Sequence, residues 1–411
     1  MTQNILDGRG LHAPLQRAAL VPGQPSHGTT IAGEKPAPRV VGGHAVSHDQ
    51  ADRNKAKPTV IDYLRHAQAR SGRRPMDMVR EYLRLHRGPG RITLSEYVQY
   101  GVYDTTRYTP SKQAEFLTNT LHWPITHACC DMTWQATTED KWLCSHILAR
   151  SSVQVPATLA VIDKSGRAYP GTPRITTAAE LRAFMTAPGN LPLFGKDNRG
   201  ICSLGAFLAL DANDEGMFLK GRGWLGYDAC MDEFVGTTPY LLQRLVTNHA
   251  FFDRYADNLA TVRVCILVAK DGVKIPFAVL KLPSRENVAD SFWRPGNFAC
   301  GLDVKTGRIK TIRSRDHLGT TDHQAHPQSG APILGEIVPT WDRLLELVHR
   351  CAPIFQPVRY QSMDIAVTKD GPVLIEINTG GGFDLPQLAT GKGFLTDEVR
   401  GFFRDCGYRK I

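Results

Sequence analysis

Asp364, Glu376 and Asn378 have the residue types and spacing of a hard-cation site. They sit in Met-Asp-Ile-Ala-Val-Thr-Lys-Asp-Gly-Pro-Val-Leu-Ile-Glu-Ile-Asn, residues 363–378, where two apolar runs flank a Lys-Asp-Gly turn. That pattern predicts an antiparallel hairpin. Side chains alternate along a strand, so Val373, Ile375 and Ile377 share one face, and Leu374, Glu376 and Asn378 share the other. A three-residue loop over 369–371, with Gly371 left-handed, places Asp364 directly across from Glu376. A two-residue loop sends Asp364 to the wrong face. Two carboxylates and an amide oxygen on one rigid face suit Mg²⁺, which shares its shell with phosphate oxygens and water. An edge hairpin with a polar outer face fits the same spacing. The two carboxylates also repel one another, so Glu376→Gln is expected to leave the thermal midpoint without nucleotide at or above the parental value.

The run Asp-Ile-Ala-Val-Thr-Lys-Asp-Gly-Pro-Val-Leu-Ile-Glu-Ile-Asn resembles the metal-binding end of ATP-grasp enzymes. With Gly-Gly-Gly-Phe-Asp-Leu-Pro-Gln (380–387) following it, the sequence looks like the sugar-transfer-associated ATP-grasp branch, related to glutamate-ligase-like members. The resemblance runs from about 92 to 403. It implies an α+β ATP-grasp fold, in which two α+β subdomains hold Mg-ATP between them, with a helical N-terminal region. The expected divisions are a flexible tail over 1–58, a helical domain over 59–137, a lid subdomain over 138–245 and a C-terminal subdomain with the metal site over 246–411.

On the phosphate side, the lysine opening a helix over 141–150 contacts nucleotide phosphates in ATP-grasp relatives, a role that falls here to Lys141. Read by itself, a lysine in a first helical turn is mildly unfavourable against the helix dipole. Lys196 ends the strand Leu-Pro-Leu-Phe-Gly-Lys and matches the family's second lysine. The phosphate-covering loop after it, which includes Ser203, departs from the family pattern: Lys-Asp replaces Lys-Pro, and only two glycines follow. The resemblance assigns adenine recognition to Gln243, Arg244 and Leu245, with His249 close by, although His249 serves equally as a packed or capping residue. The same resemblance covers the Asn258, Thr261, Arg263 series and implies that Arg263 faces the γ-phosphate, where a planar, permanently charged fork stabilises developing charge. Lys281 stands where relatives tend to carry arginine. With Asp290 and Arg294 it is the candidate for the acceptor side, against ordinary loop salt bridges as the other reading.

The implied chemistry is ligation of a small-molecule carboxylate to an amine using ATP and Mg²⁺, through an acyl phosphate, in glycan or natural-product biosynthesis. Arg263, Lys196 and Lys281 are the catalytic candidates. An ATP-grasp kinase-type phosphotransferase and a nucleotide-binding protein without catalysis are the rival readings.

Composition sets the outer bounds. The chain has 411 residues, 42% hydrophobic and 22% charged, which describes a globular protein with length for two or three domains. No apolar run approaches the roughly 18 residues of a membrane span, and the N-terminus lacks the apolar core of a signal peptide. Nine cysteines without a metal-type pair suit reduced thiols in a cytoplasm. Of the net charge of +9, much sits over 55–87, where Arg65, Arg70, Arg73, Arg74, Arg80, Arg84 and Arg87 crowd together. A solvated helical face accounts for them, and no nucleic-acid motif accompanies them. A homodimer is compatible with these bounds.

Two basic helices are expected between 59 and 88, broken at Ser71-Gly72. Further helices are expected from 94, over 111–121 and, amphipathic, over 341–354.

Overall fold

The computed structural model describes residues 58–201 and 203–411. The expected tail over 1–58 therefore lies, but for Pro58, outside the described residues. Among the described residues no helix is long and apolar enough to cross a membrane.

Among the described residues fourteen strands form two sheets. In chain order the first seven are β1 (Thr158–Ile162), β2 (Arg174–Ile175), β3 (Leu193–Asp197), β4 (Phe207–Ala212), β5 (Gly216–Leu219), β6 (Gly223–Gly226) and β7 (Tyr240–Arg244). They lie side by side as β2-β1-β7-β3-β4-β5-β6. Only β1 and β2 run parallel in this sheet. The second set is β8 (Thr261–Ala269), β9 (Gly272–Leu282), β10 (Phe298–Gly301), β11 (Arg313–Arg315), β12 (Thr320–Asp322), β13 (Tyr360–Thr368) and β14 (Gly371–Thr379). Its order is β12-β11-β10-β9-β8-β13-β14, antiparallel throughout. The architecture is α+β with a helical N-terminal region.

Alternation decides which face of the second sheet is dry. Val262, Val264, Ile266, Leu280, Met363 and Ile365 all point to one side and pack on Leu344, Leu347 and Val348 of the helix Trp341–Cys351. The intervening residues, Thr261, Arg263, Lys281, Asp364, Glu376 and Asn378, point to the other. Each strand that buries its apolar set thus lifts its polar set onto a common surface.

The expected basic helices occupy Val60–Ser71 and Pro75–Arg87. Thr59 and Asp62 form a capping box at the first, and Gly72 ends it in a left-handed conformation (φ 66°). Their inward residues Ala67, Met78 and Leu85 join Tyr97, Tyr100 and Phe116 in one core with Val279 and Ala299 of the second sheet and Leu385 and Leu388. The N-terminal helices therefore cover part of the face that carries the polar set.

The helix expected over 111–121 is instead a single turn, Pro110–Gln113, and a 3₁₀ turn, Asn119–Leu121. Between them the side-chain amide of Gln387 takes both backbone groups of Leu117: the Leu117 N–H donates to Oε1 at 2.8 Å, and Nε2 donates to the Leu117 carbonyl at 2.8 Å. A helix would need those same groups.

Candidate active site

The hairpin turn is one residue shorter than expected. Thr368 pairs with Gly371, leaving Lys369 and Asp370 as a two-residue loop. Asp364 nonetheless faces Glu376, because the register shifts between the Asp364–Glu376 and Ile365–Leu374 pairs. Ile375 is the extra residue, a β-bulge that restores the face that the short turn would have lost. Across β13 from Glu376, Arg263 is paired with Asp364, so one row reads Arg263, Asp364, Glu376.

Charges alternate along this face. Arg263 grips Asp364 with two hydrogen bonds, Nε to Oδ1 at 2.7 Å and Nη2 to Oδ2 at 2.5 Å. Lys281 donates to Asp364 Oδ2 at 3.1 Å and to Asp290 Oδ1 at 3.3 Å. Asp290 also accepts from the Thr261 hydroxyl. Glu376 lies 3.8 Å from Arg263 and 3.9 Å from Lys141. Burial alone would raise Asp364, but Arg263 and Lys281 overcome it and hold this carboxyl well below the usual range. Burial lowers Lys281, and Asp290 with Asp364 more than reverses that. Burial wins at Asp290, whose carboxyl is pushed up despite Lys281.

Lys141 and Lys196 approach from the other wall. The helix Lys141–Arg150 starts at Asp140, whose side chain accepts the Leu143 N–H at 3.0 Å and is clamped by Arg167. Asn198, two residues beyond Lys196, binds the Lys141 and Trp142 N–H groups through its carbonyl and side-chain oxygens. The end of β3 is thus docked on the start of this helix, bringing both lysines to one cleft with Thr138, Cys144, Gln243 and Glu376. Lys141 donates to the Gly200 carbonyl at 2.6 Å. Lys196 is 8% exposed, and among the described residues no hydrogen bond or ion pair reaches its ammonium. Burial, reinforced by Lys141 and only partly offset by Glu376, lowers its ammonium to about 8.

The remaining candidates are more scattered. Gln243 shares a sheet face with Lys196 and donates to the Thr158 hydroxyl at 3.3 Å. Arg244 donates its backbone N–H to Ala157 and its guanidinium to Gly189, and its side chain is exposed. Leu245 is the first residue beyond β7. His249 caps the 3₁₀ turn Ala250–Arg254, its ring accepting the Phe251 N–H at 3.1 Å. Ser203, at φ 55°, accepts from Arg294 through its carbonyl at 2.9 Å. Asn258 joins the two sheets, accepting from Lys220 at 2.7 Å.

Three hard oxygen donors on adjacent, same-face positions fit Mg²⁺ in type. Among the described residues, the Asn378 side-chain amide donates to Glu376 Oε1 at 3.4 Å, and the Glu376 carboxylate otherwise meets the more distant Lys141 and Arg263. Among the described residues no three acidic, His or Cys groups close into a metal cage. Such a site draws the rest of its shell from phosphate oxygens and water. Asp364 Oδ1 carries one hydrogen bond and retains a lone pair.

Two residues at the site's edge escaped the sequence reading. Thr138 lines the cleft and shares a hydrogen bond with Thr379 at 2.7 Å, a contact between positions far apart in the chain that leaves no local signal. Asp384, within the Gly-Gly-Gly-Phe-Asp run, has no ion pair among the described residues and accepts the Leu385 N–H at 2.8 Å. Burial first, and Glu96 in addition, push it up to about 6. A carboxyl raised above its unfolded value destabilises the fold once pH exceeds the unfolded pKa, with the full cost reached above the folded one. Asp384→Asn should therefore stabilise the protein by about 1–2 kcal/mol at pH 8 and add nothing at pH 4, as read by urea denaturation at both values.

Residues 230–400 match the profile of the family described as sugar-transfer associated ATP-grasp. The matched segment holds Arg263, Lys281, Asp364, Glu376 and Asn378, and Lys141 and Lys196 lie outside it. No curated protein matches the chain. Solved structures with a related chain path include the D-Ala:D-Ser ligase VanG from Enterococcus faecalis, at 14% identity over 67% of this chain and 64% of that one, TM-score 0.38. Another is D-alanine–D-alanine ligase from Bacillus anthracis, at 13% identity over 71% and 75%, TM-score 0.39. A third is N5-carboxyaminoimidazole synthase from Aspergillus clavatus, solved with ADP and 5-aminoimidazole ribonucleotide, at 11% identity over 68% and 58%, TM-score 0.36. The chain spans less than two thirds of the VanG and synthase chains. Likenesses this distant carry no weight on substrate or mechanism.

Proposed function

We propose that the protein is an ATP- and Mg²⁺-dependent ligase that joins a small-molecule carboxylate to an amine, releasing ADP and phosphate, in glycan or natural-product biosynthesis. The observation that carries this reading is Lys196, a buried ammonium that touches no anion among the described residues, facing Glu376 across a cleft in a chain whose residues 230–400 match an ATP-grasp family. A buried charge left unpaired is costly, and a phosphate oxygen is the partner the cleft lacks.

In this reading Lys196 and Lys141 hold the nucleotide phosphates, and Lys141 leaves the Gly200 carbonyl to do so. Gln243, Arg244 and Leu245 border the adenine, with His249 close by and the Ser203 loop over the phosphates. Arg263, fixed in orientation by Asp364, neutralises the transferring phosphoryl group. Lys281 and Asp290, with Arg294 beside them, orient the acceptor. Mg²⁺ held by Asp364, Glu376 and Asn378 supplies charge neutralisation at the phosphate oxygens. The substrate carboxylate attacks the γ-phosphorus, the bond to ADP breaks, and an acyl phosphate results. Phosphorylation is needed because an ionised carboxylate has no leaving group. The amine then attacks the acyl carbon and displaces phosphate, losing its proton to solvent.

The test is ADP release from pooled amino acids and hexuronic acids, with and without hydroxylamine as a second nucleophile. Ligation predicts sustained ADP release only when acid and nucleophile are both present, with a hydroxamate product. A stable phosphorylated product from a single acceptor would establish the phosphotransferase instead, and no turnover with any pool would count against catalysis.

Lys196→Met separates binding from folding. The unfolded chain binds more protons than the native one between pH 8 and the ordinary lysine value, so the cost of burying Lys196 is full at neutral pH, falls as pH rises through 8 and is gone at the ordinary lysine value. The variant should gain about 2–3 kcal/mol of nucleotide-free stability at pH 7 and nothing near pH 10.5. It should also lose about 1.5–3 kcal/mol of affinity for a non-hydrolysable ATP analogue in calorimetric titration. In the parent, binding at pH 8–9 should take up protons, seen as a dependence of the heat on buffer ionisation, because phosphate returns Lys196 towards its ordinary value.

A further inference from the structure

Thr138 stands three residues before Lys141, near the end of the short helix Gln135–Glu139. Thr379 closes β14, directly after Asn378. Both side chains are buried, and their hydroxyls lie 2.7 Å apart. The contact joins the chain leading into the phosphate-side helix to the strand that carries two of the candidate metal donors. Each hydroxyl has one proton to give. Thr138 gives its own to the Gln135 carbonyl at 3.1 Å, so Thr379 is the donor between the two.

The same stretch of chain is also held from the side of the first sheet. The Asn198 carbonyl accepts the Lys141 N–H at 3.1 Å, and Arg167 clamps Asp140. On the side of the second sheet, Cys144 and Leu148 of the helix Lys141–Arg150 pack in the core of that sheet. Apolar packing of this kind is non-directional. The threonine pair adds a fixed distance to it. The Lys141 ammonium stands between the two sides, 2.6 Å from the Gly200 carbonyl and 3.9 Å from Glu376.

We infer that Thr138 and Thr379 are positioning residues, whose hydrogen bond sets the distance between Lys141 and Glu376 and so between nucleotide phosphates and metal donors. The inference rests on the proposed function in taking Lys141 as a phosphate ligand. The two threonines act through the backbone that carries Lys141 on one side and Glu376 and Asn378 on the other. A hydroxyl pair supplies a separation that an apolar pair cannot. Oxygens sharing a proton sit at 2.7 Å here, whereas methyl groups stop at about 3.5–4.0 Å. Valine at both positions parts helix and strand by about 1 Å. The two single changes differ. Thr379→Val leaves Thr138 its Gln135 partner, whereas Thr138→Val strands a buried Thr379 hydroxyl, so it is the more destabilising of the two.

Calorimetric titration with a non-hydrolysable ATP analogue and Mg²⁺ tests this on the full chain, with urea midpoints measured alongside. Thr138→Val and Thr379→Val should each bind the analogue about 3- to 10-fold more weakly than the parent. Thr138→Ser, which keeps the hydroxyl, should bind as the parent does. Thr138→Val placed on Lys141→Ala should bind as Lys141→Ala alone, because the pair acts through that lysine. Should Thr138→Val lose the fold, Thr379→Val carries the same comparison. Parental affinity in the valine variants, equal weakening in Thr138→Ser, or a further loss on top of Lys141→Ala would overturn the positioning role. A Lys141→Ala variant that binds as the parent does would instead sink the phosphate role of Lys141, and this inference with it.

Discussion

Asp364→Ala should cost the nucleotide-free protein about 3–5 kcal/mol, measured by urea denaturation, a loss comparable to a sizeable part of a domain's stability. The side chain is buried, and it compensates two cations at once, Arg263 through two hydrogen bonds and Lys281 through a third. Removing it leaves both cations without that partner on the polar face, where Lys281 is buried and Arg263 mostly so. Asp290 can answer for only one of them, since it already holds Lys281. Asp364→Asn should cost less, because the amide oxygen still accepts one hydrogen bond, while its NH₂ faces a donor. Loss of activity in either variant would thus reflect folding as well as chemistry. A midpoint within about 1 kcal/mol of the parent would show that the alternating network contributes little.

Glu376→Gln should have the opposite profile, with ADP release at background and stability nearly unchanged. Sequence reasoning, which sees only two adjacent carboxylates, predicts relief of repulsion and a midpoint at or above the parental one. The structure changes the sign. Asp364 and Glu376 are interleaved with Arg263, Lys281 and Lys141, so Glu376 attracts more than it repels. Its contacts at 3.8 and 3.9 Å are long and partly exposed, so the expected loss is small, below about 1 kcal/mol. The catalytic effect is large because the charge that would hold the metal at the β- and γ-phosphates is gone. Thermal scans with and without an Mg-ATP analogue, beside ADP release, separate the two effects. Near-parental turnover would make this hairpin structural only.

The polar face was legible because strand alternation is a strictly local rule: the parity of Glu376 and Asn378 needs no knowledge of the rest of the chain. The turn was not. Lys-Asp-Gly fits two loop lengths, and which one forms depends on whether β14 accommodates a bulge at Ile375, a matter of packing against its neighbours. The same limit explains residues 111–121. Their composition suits a helix, and Gln387, 270 positions away from Leu117, takes the backbone groups that a helix would use. The break between the two basic helices was visible in advance at Ser71-Gly72, where Gly72 ends the first in a left-handed conformation. The lysines were marked as phosphate ligands only by resemblance. What the structure adds is that, among the described residues, no carboxylate comes into contact with the buried Lys196 ammonium, which no one-dimensional pattern encodes.

The bulge at Ile375 also ties together two positions that would otherwise vary freely. Lengthening the Lys369–Asp370 turn by one residue would rotate Asp364 away from Glu376, and so would deleting Ile375 alone. Making both changes restores the parity. Insertions and deletions in this hairpin are therefore tolerated as matched pairs, and a chimera that takes its turn from one protein and its second strand from another preserves the site only when the two lengths agree.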